Sequence, residues 1–243
     1  MSSSRRAPRT VQVDGFTIFL GPQKSCPPYI KPWIKQFCSQ PVNNWFVEID
    51  PSWAADWFNQ YGIKELFEDF DDAIELITDN KGKEWSSYNE EDAIAINQQA
   101  LRIYGMLHAR WISQPKGMEL MKQKYDQEIF GKCPRMGCND TPLLPMGTTF
   151  TLRRHSVKLF CPCCRDIYKA PTYPVIDGAY FGPAFPHMFL SEYTKCDKTN
   201  NFKPFIQKAF GFTIRRPPKA KPLPHLSNIQ EVDLLETPYD EEE

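Results

Sequence analysis

The sequence predicts an α+β protein: an all-helical N-terminal domain, then a small antiparallel ribbon organised by four cysteines, then a disordered C-terminal tail. Three observations carry that expectation. Apolar residues recur at helical spacing between about residues 31 and 127. Two cysteine pairs, Cys133/Cys138 and Cys161/Cys164, lie in a turn-rich stretch with short runs of strand-forming residues. From Arg215 the chain turns Pro/Lys-rich and then acidic, a composition poor in the apolar side chains that a core requires. The expected divisions are a flexible basic N-terminus over 1–30, a helical domain over 31–130, the ribbon with a segment after it over 131–214, and the tail over 215–243.

Each element follows from local chemistry. Residues 1–44 are basic and broken by prolines, and a short helix is expected near Lys31, where Trp33, Ile34, Phe37 and Cys38 share a face. Asp50-Pro51 reads as a helix start, because the carboxylate can accept free amides and proline suits the first helical position. Trp53 and Trp57, one turn apart, are expected to face the core together. Ile63, Leu66, Phe67, Phe70, Ala73, Ile74 and Ile77 form one amphipathic stripe, with Glu65, Glu68, Asp69, Asp72 and Glu75 on its wet side. Asn80-Lys-Gly82 ends that helix. Asn89-Glu-Glu-Asp92 caps a longer one, whose inner face carries Ile94, Leu101, Tyr104, His108 and Trp111, and Pro115 separates it from a shorter helix ending near Gln127. Strands are expected at Thr149–Leu152, Val157–Phe160 and Asp166–Lys169.

The formal net charge of −1 hides segregation along the chain. Residues 1–44 are net +5, residues 45–130 net −9, residues 131–225 net +10 and residues 226–243 net −7. No run approaches the length of a membrane span. The apolar run after Arg9 is too short for a signal peptide and abuts Asp14. Eight cysteines without a secretory signal favour metal ligation over disulfides.

Cys133-Pro-Arg-Met-Gly-Cys138 and Cys161-Pro-Cys-Cys164 are spaced to close a tetrahedral thiolate cage around one zinc ion. Cys163 competes for a place, but its spacing from Cys161 suits the geometry less well. Paired disulfides are the alternative. The histidines, His108, His155, His187 and His225, have no neighbouring carboxylate at ligand spacing, so the zinc is expected to be structural, with no catalytic residues. His108 and His187 are expected in buried, hydrogen-bonded core positions. Arg153, Arg154, His155 and Lys158 form a basic run suited to phosphate, acidic substrates or nucleic acid, or simply to a solvated edge.

Several motifs in order closely resemble the casein kinase II regulatory (beta) subunit family. They are Tyr104-Gly-Met-Leu-His-Ala-Arg110, the two cysteine pairs, Leu144-Pro-Met-Gly147, Val157-Lys-Leu-Phe-Cys161, Asp177-Gly-Ala-Tyr-Phe-Gly182 and Phe185-Pro-His-Met188. The resemblance covers about residues 33–193, and more weakly to about 214. It implies a non-catalytic regulatory subunit of a Ser/Thr kinase: a homodimer formed through the zinc domains, joined to two catalytic (alpha) subunits in a heterotetramer, stabilising them and altering substrate choice. The chain agrees independently, since it has no glycine-rich phosphate loop, HRD or DFG. Cytoplasm and nucleus are the expected compartments, and Arg215-Arg-Pro-Pro-Lys-Ala-Lys221 is only weakly like a nuclear signal.

The resemblance also implies a glycine-flanked aromatic pair that docks on the catalytic subunit, and Phe210-Gly211-Phe212 is the nearest match. The other reading is that both rings pack internally. The chain departs from the family pattern in two places. Lys81 and Lys83 interrupt the stretch equivalent to the family's acidic loop, which puts a polyamine response in doubt. Ser2, Ser3 and Ser4 precede Arg5 and Arg6 rather than acids, an unfavourable context for phosphorylation by an acid-reading kinase. The rival function is a zinc-ribbon nucleic-acid-binding protein, motivated by the basic 131–225 segment.

Overall fold

The structure, a computed structural model, describes residues 9–202 and 208–213. It divides into two units, Met1–Lys203 and Pro204–Glu243. The N-terminal serines, the tail and the basic Arg215–Lys221 run lie outside the described residues.

The larger unit opens with a hairpin where a flexible lead-in was expected. Strands β1 (Thr10–Val13) and β2 (Phe16–Phe19) pair antiparallel across Asp14-Gly15, both at positive φ (47° and 83°). A turn with both central residues left-handed matches the twist of its strands, and Asp-Gly is a preferred pair for it. Phe16 and Ile18 are buried, and Phe16 stacks on Trp33 at 5.1 Å. Gln36, on α1 (Trp33–Ser39), accepts the Thr17 N–H at 2.7 Å and donates to the Thr17 carbonyl at 3.1 Å. The alternating Val-Gln-Val and Phe-Thr-Ile pattern gives β2 a core face, which fixes the register.

Asp50 caps α2 (Pro51–Ala55) through the Ser52 N–H, as its sequence foretold. The helix then stops. Asp56 accepts the Phe58 N–H and starts a separate turn, α3 (Trp57–Gln60). That second cap sends Trp57 outward, so only Trp53 reaches inward, against Trp111 at 5.1 Å; the expectation of a shared core face fails for Trp57. The long amphipathic stripe is likewise divided. Lys64–Leu66 form a 3-10 turn, Leu66 is exposed, and α4 (Phe70–Ile77) begins only after Asp69, whose N–H and carboxylate are both engaged by Gln99.

Helix α5 (Glu90–Trp111) starts with a full capping box between Asn89 and Asp92 and runs through the centre of the unit. Pro115 opens α6 (Pro115–Asp126). The ribbon follows as β3 (Leu144–Met146), β4 (Lys158–Phe160) and β5 (Ile167–Lys169) in sheet order β3-β4-β5, all antiparallel. The strand expected at 149–152 is instead a bend and turn ending at Arg153 (φ 59°), and β3 lies five residues earlier. Pro145 is compatible with a strand here because β3 is an edge of the sheet. Helix α7 (Phe185–Glu192) closes the ribbon and packs on β3.

Helical and ribbon parts share one core, and α5 joins them. His108 is fully buried: its Nε2 accepts the Val47 N–H at 3.2 Å, and its Nδ1–H donates to the Tyr180 carbonyl at 2.8 Å. One turn earlier, the Tyr104 hydroxyl donates to the Val47 carbonyl and accepts the Ile49 N–H. Between them, a Cβ on Gly105 would collide with the Tyr180 ring, so only glycine admits this approach. Lys81, read from the sequence as an interruption of the stretch equivalent to an acidic loop, is also interior. Its ammonium donates to the Phe19 carbonyl at 3.1 Å and sits 5.5 Å from the Phe19 and Trp85 rings.

Burial holds the His108 pKa down at about 4, only partly offset by the Tyr180 bond. The unfolded chain therefore takes up a proton near pH 6.5 that the folded chain refuses. The stability is intact above pH 6.5 and falls as pH drops toward 4. Urea titrations of wild type and His108→Gln should differ in slope over that window by about 1.4 kcal/mol per pH unit. Parallel pH profiles would show that the imidazole is not the titrating group.

Candidate metal centre

Two knuckles carry the cysteines. In the first, Cys133 donates its N–H to the Thr141 carbonyl, Cys138 to the Arg135 carbonyl, and Asn139 and Asp140 turn the chain at positive φ. In the second, Cys161 follows β4 directly and Cys164 stands just before β5. The Cys163 amide points at Cys161 Sγ from 3.4 Å, the knuckle bond that an i, i+2 amide makes to a ligand sulfur. Arg135 and Asp166 form an ion pair of 2.5 Å that joins the two knuckles.

The four sulfurs of Cys133, Cys138, Cys161 and Cys164 lie within 4.8 Å of one another, with Cys133···Cys164 and Cys138···Cys161 both 3.9 Å. A tetrahedral ion with metal–sulfur bonds of about 2.3 Å needs sulfurs roughly 3.8 Å apart. The donor set fits such an ion and, being all thiol, would fill its four positions. Cys163 is buried beside the set but outside it. Among the described residues this is the one cluster of metal-ligating side chains.

The electrostatics call for a cation. Burial pushes the Cys161 thiol up to about 12 and raises Cys138 further. Burial would also raise Cys164, but the Tyr168 hydroxyl, the Asp166 amide and the neighbouring sulfurs bring it down to about 7. Sulfurs packed this closely cannot all ionise without a positive ion among them, so binding of such an ion would be coupled to folding. Tyr168, not singled out by its sequence, reaches back from β5 to 3.2 Å from Cys164 Sγ and 3.4 Å from Cys133 Sγ. Its only sequence signal is its place four residues after a ligand, where a strand's alternation decides which way it faces.

Other candidate residues lie elsewhere. His187, expected in the core, is exposed and edge-on to Phe160 at 5.4 Å, because α7 turns that position outward. His155, Arg153 and Arg154 are exposed on the turn before β4, and His225 is outside the described residues. In the smaller unit, β6 (Lys208–Ala209) and β7 (Phe212–Thr213) form a hairpin turning on Phe210 (φ 51°) and Gly211 (φ 87°). Phe210 and Phe212 are 100% and 79% exposed, so neither ring is packed inside.

The chain thus combines a helical part with a closed four-thiol ribbon and, in the smaller unit, a hairpin with two exposed aromatic rings. The family model for the casein kinase II regulatory subunit matches residues 32–213. The chain is 36% identical over 184 residues to putative casein kinase II subunit beta-4 of Arabidopsis thaliana, covering 75% of this chain and 65% of that one. It is 35% identical over 193 residues to casein kinase II subunit beta of Dictyostelium discoideum (79% and 71%). It is 35% identical over 185 residues to casein kinase II subunit beta' of Drosophila melanogaster (75% and 83%). The chain belongs to the casein kinase II regulatory subunit family, which is the regulatory and not the catalytic component of that kinase.

The Tyr168 hydroxyl accepts from Cys133 Sγ and lies within hydrogen-bond reach of Cys164 Sγ, so it orients two of the four sulfurs that could hold a metal. Tyr168→Phe keeps the ring and removes only that hydroxyl. Competition with a chelator should show metal affinity about tenfold lower, with an unchanged circular dichroism spectrum when loaded. Equal affinities would reduce Tyr168 to a packing residue.

Proposed function

We propose that this chain is a non-catalytic regulatory subunit that binds one structural Zn²⁺ through Cys133, Cys138, Cys161 and Cys164. It dimerises through the ribbon and docks two casein kinase II catalytic subunits through Phe210 and Phe212. The compartments that keep such thiols reduced are the cytoplasm and the nucleus.

The observation that carries the dimer is the exposure of apolar side chains on the elements that bear the cage. Met136, inside the first knuckle, is 94% exposed, and Ile167, at the start of β5, is 49% exposed. Side chains of that kind on a metal-fixed backbone suit an isologous contact, where each copy presents the same patch to the other. Zinc would hold that patch in shape, and no reaction is assigned to it. The hairpin supports the second part. Phe210 occupies a left-handed turn position that a bulky residue rarely takes, with its ring in water. Aromatic anchors offered in this way dominate interface energy when a partner supplies the pocket. The nucleic-acid reading has less support, because the basic Arg153–His155 run forms a turn rather than a strand of alternating aromatic and basic side chains.

Sedimentation of the full chain tests the dimer. Cys161→Ser should lose zinc and dimer together, whereas Met136→Lys should keep one zinc per chain and become monomeric. A monomer that still assembles a tetramer with catalytic subunits would overturn this reading.

For docking, Phe210→Ala or Phe212→Ala should each weaken binding to the catalytic subunit by about 2 kcal/mol or more, with the zinc content unchanged. Calorimetry showing wild-type affinity for both variants would remove the hairpin from the interface.

A further inference from the structure

Trp57, Phe58, Tyr61, Leu66 and Phe150 all stand in solvent, and all border one surface trough. The trough consists of two grooves of about 920 and 680 Å³ that share Arg110 and Phe150. Residues 53–68 and α5 line one side, and the loop at 150–153 lines the other. None of these residues belongs to the four-thiol site or to the aromatic hairpin.

The rings are held outward by a pinned backbone. The Asp56 carboxylate accepts the Phe58 N–H at 3.0 Å, and the Asn59 amide donates to the Trp53 carbonyl at 2.9 Å. The Gln60 amide donates to the Ala54 carbonyl at 2.8 Å. The Arg110 guanidinium then donates to both the Asn59 and Tyr61 carbonyls at 2.7 Å. Four side chains thus fix one short stretch, and Gly62, at φ +71°, carries the chain away from it. Trp57 and Phe58 face each other edge-on at 6.1 Å. Rings on so constrained a backbone lose little freedom when something covers them, the usual condition for a preorganised binding surface.

The charge beside the rings is positive. Arg102 on α5 and Arg153 on the facing loop line the wider groove, and among the described residues neither forms an ion pair. Glu68 is the one acid in that lining.

We propose that this trough docks a short acidic peptide segment of a protein partner. One or two carboxylates would pair with Arg102 and Arg153, and an apolar side chain would pack among Trp57, Phe58, Tyr61 and Phe150. A nucleic acid suits the surface less well. Its phosphates repeat along the strand and would run past Glu68, whereas a peptide can confine its few charges to the arginines. This surface is a further binding function, independent of zinc, dimer and hairpin.

The experiment uses the full chain, fluorescence anisotropy and three labelled probes. These are a short peptide with four glutamates around a Leu-Phe pair, the same peptide with lysines for the glutamates, and a thymidine oligonucleotide of equal charge to the first. The acidic peptide should bind, and the lysine peptide should not. Affinity should fall about tenfold in Trp57→Ala/Phe58→Ala and about tenfold in Arg102→Gln/Arg153→Glu, all with normal metal content and sedimentation. Any other pattern overturns the proposal: no binding of the acidic peptide, wild-type affinity in either double variant, equal binding of the lysine peptide, or tighter binding of the oligonucleotide.

Discussion

A single helical face on α5 has to satisfy polar groups from two directions, and the rest of the larger unit is arranged around that requirement. Tyr104 and His108 reach the extended segment at 47–49, which has no strand partner among the described residues and would otherwise bury bare amides and a bare carbonyl. His108 also takes the Tyr180 carbonyl from the ribbon side. One neutral imidazole therefore bonds two separate stretches of backbone, acceptor on one nitrogen and donor on the other. Leaving either backbone group unpaired would cost about 1–3 kcal/mol, which explains why a polar ring sits in an otherwise apolar centre. Gly105 permits the same face to come close enough to Tyr180 for the bond to form.

The ribbon solves a different problem. Its three strands have three residues each, too little surface to hold a fold by burial alone. The knuckles add a compact set of four sulfurs, two of which, Cys138 and Cys161, burial disfavours as thiolates, so that a cation among them would balance the charge. The cage is tied to the rest through β4, whose Phe160 meets both His187 and the Arg165 guanidinium. Arg165 also pairs with Asp197 at 2.5 Å and donates to the Thr199 hydroxyl at 2.7 Å. The segment after α7 is held to the second knuckle in this way.

How much of this was legible depended on whether the signal was local. The caps at Asp50 and Asn89, the proline at 115 and the cysteine spacing each act within a few residues, and the structure has each of them where the sequence put it. The β1–β2 hairpin was missed because its Asp-Gly signal sits in a basic, proline-broken stretch, and its stability comes from Gln36 and Trp33, which lie well beyond it in sequence. Lys81 reads as an interruption of an acidic loop, yet tertiary contacts with a carbonyl and two rings take it inside. The strand expected at 149–152 failed for the opposite reason: its residues suit a strand, but the chain must turn there. Tyr168 could not be chosen from the sequence, since its value lies in which face of β5 it occupies.

The outward aromatic rings follow from the same competition between local and distant signals. Trp57 and Phe58 would lie on a continuing α2 if Asp56 did not cap a new turn, and Asp56 succeeds because Asn59, Gln60 and Arg110 all secure the new path. These bonds come from four side chains that are all partly accessible to water, so the exposed arrangement is specified and not a default of poor packing. Arg110 is the most informative member. Burial lowers its pKa, yet it is spent on two carbonyls of this turn instead of on an acid. A guanidinium placed beneath a pinned aromatic turn, at the end of the helix that anchors the ribbon, makes the position of the rings depend on α5 just as the Tyr180 contact does. The aromatic turn, through Arg110, and the segment around Tyr180, through His108, are therefore both fastened to the same rigid helix.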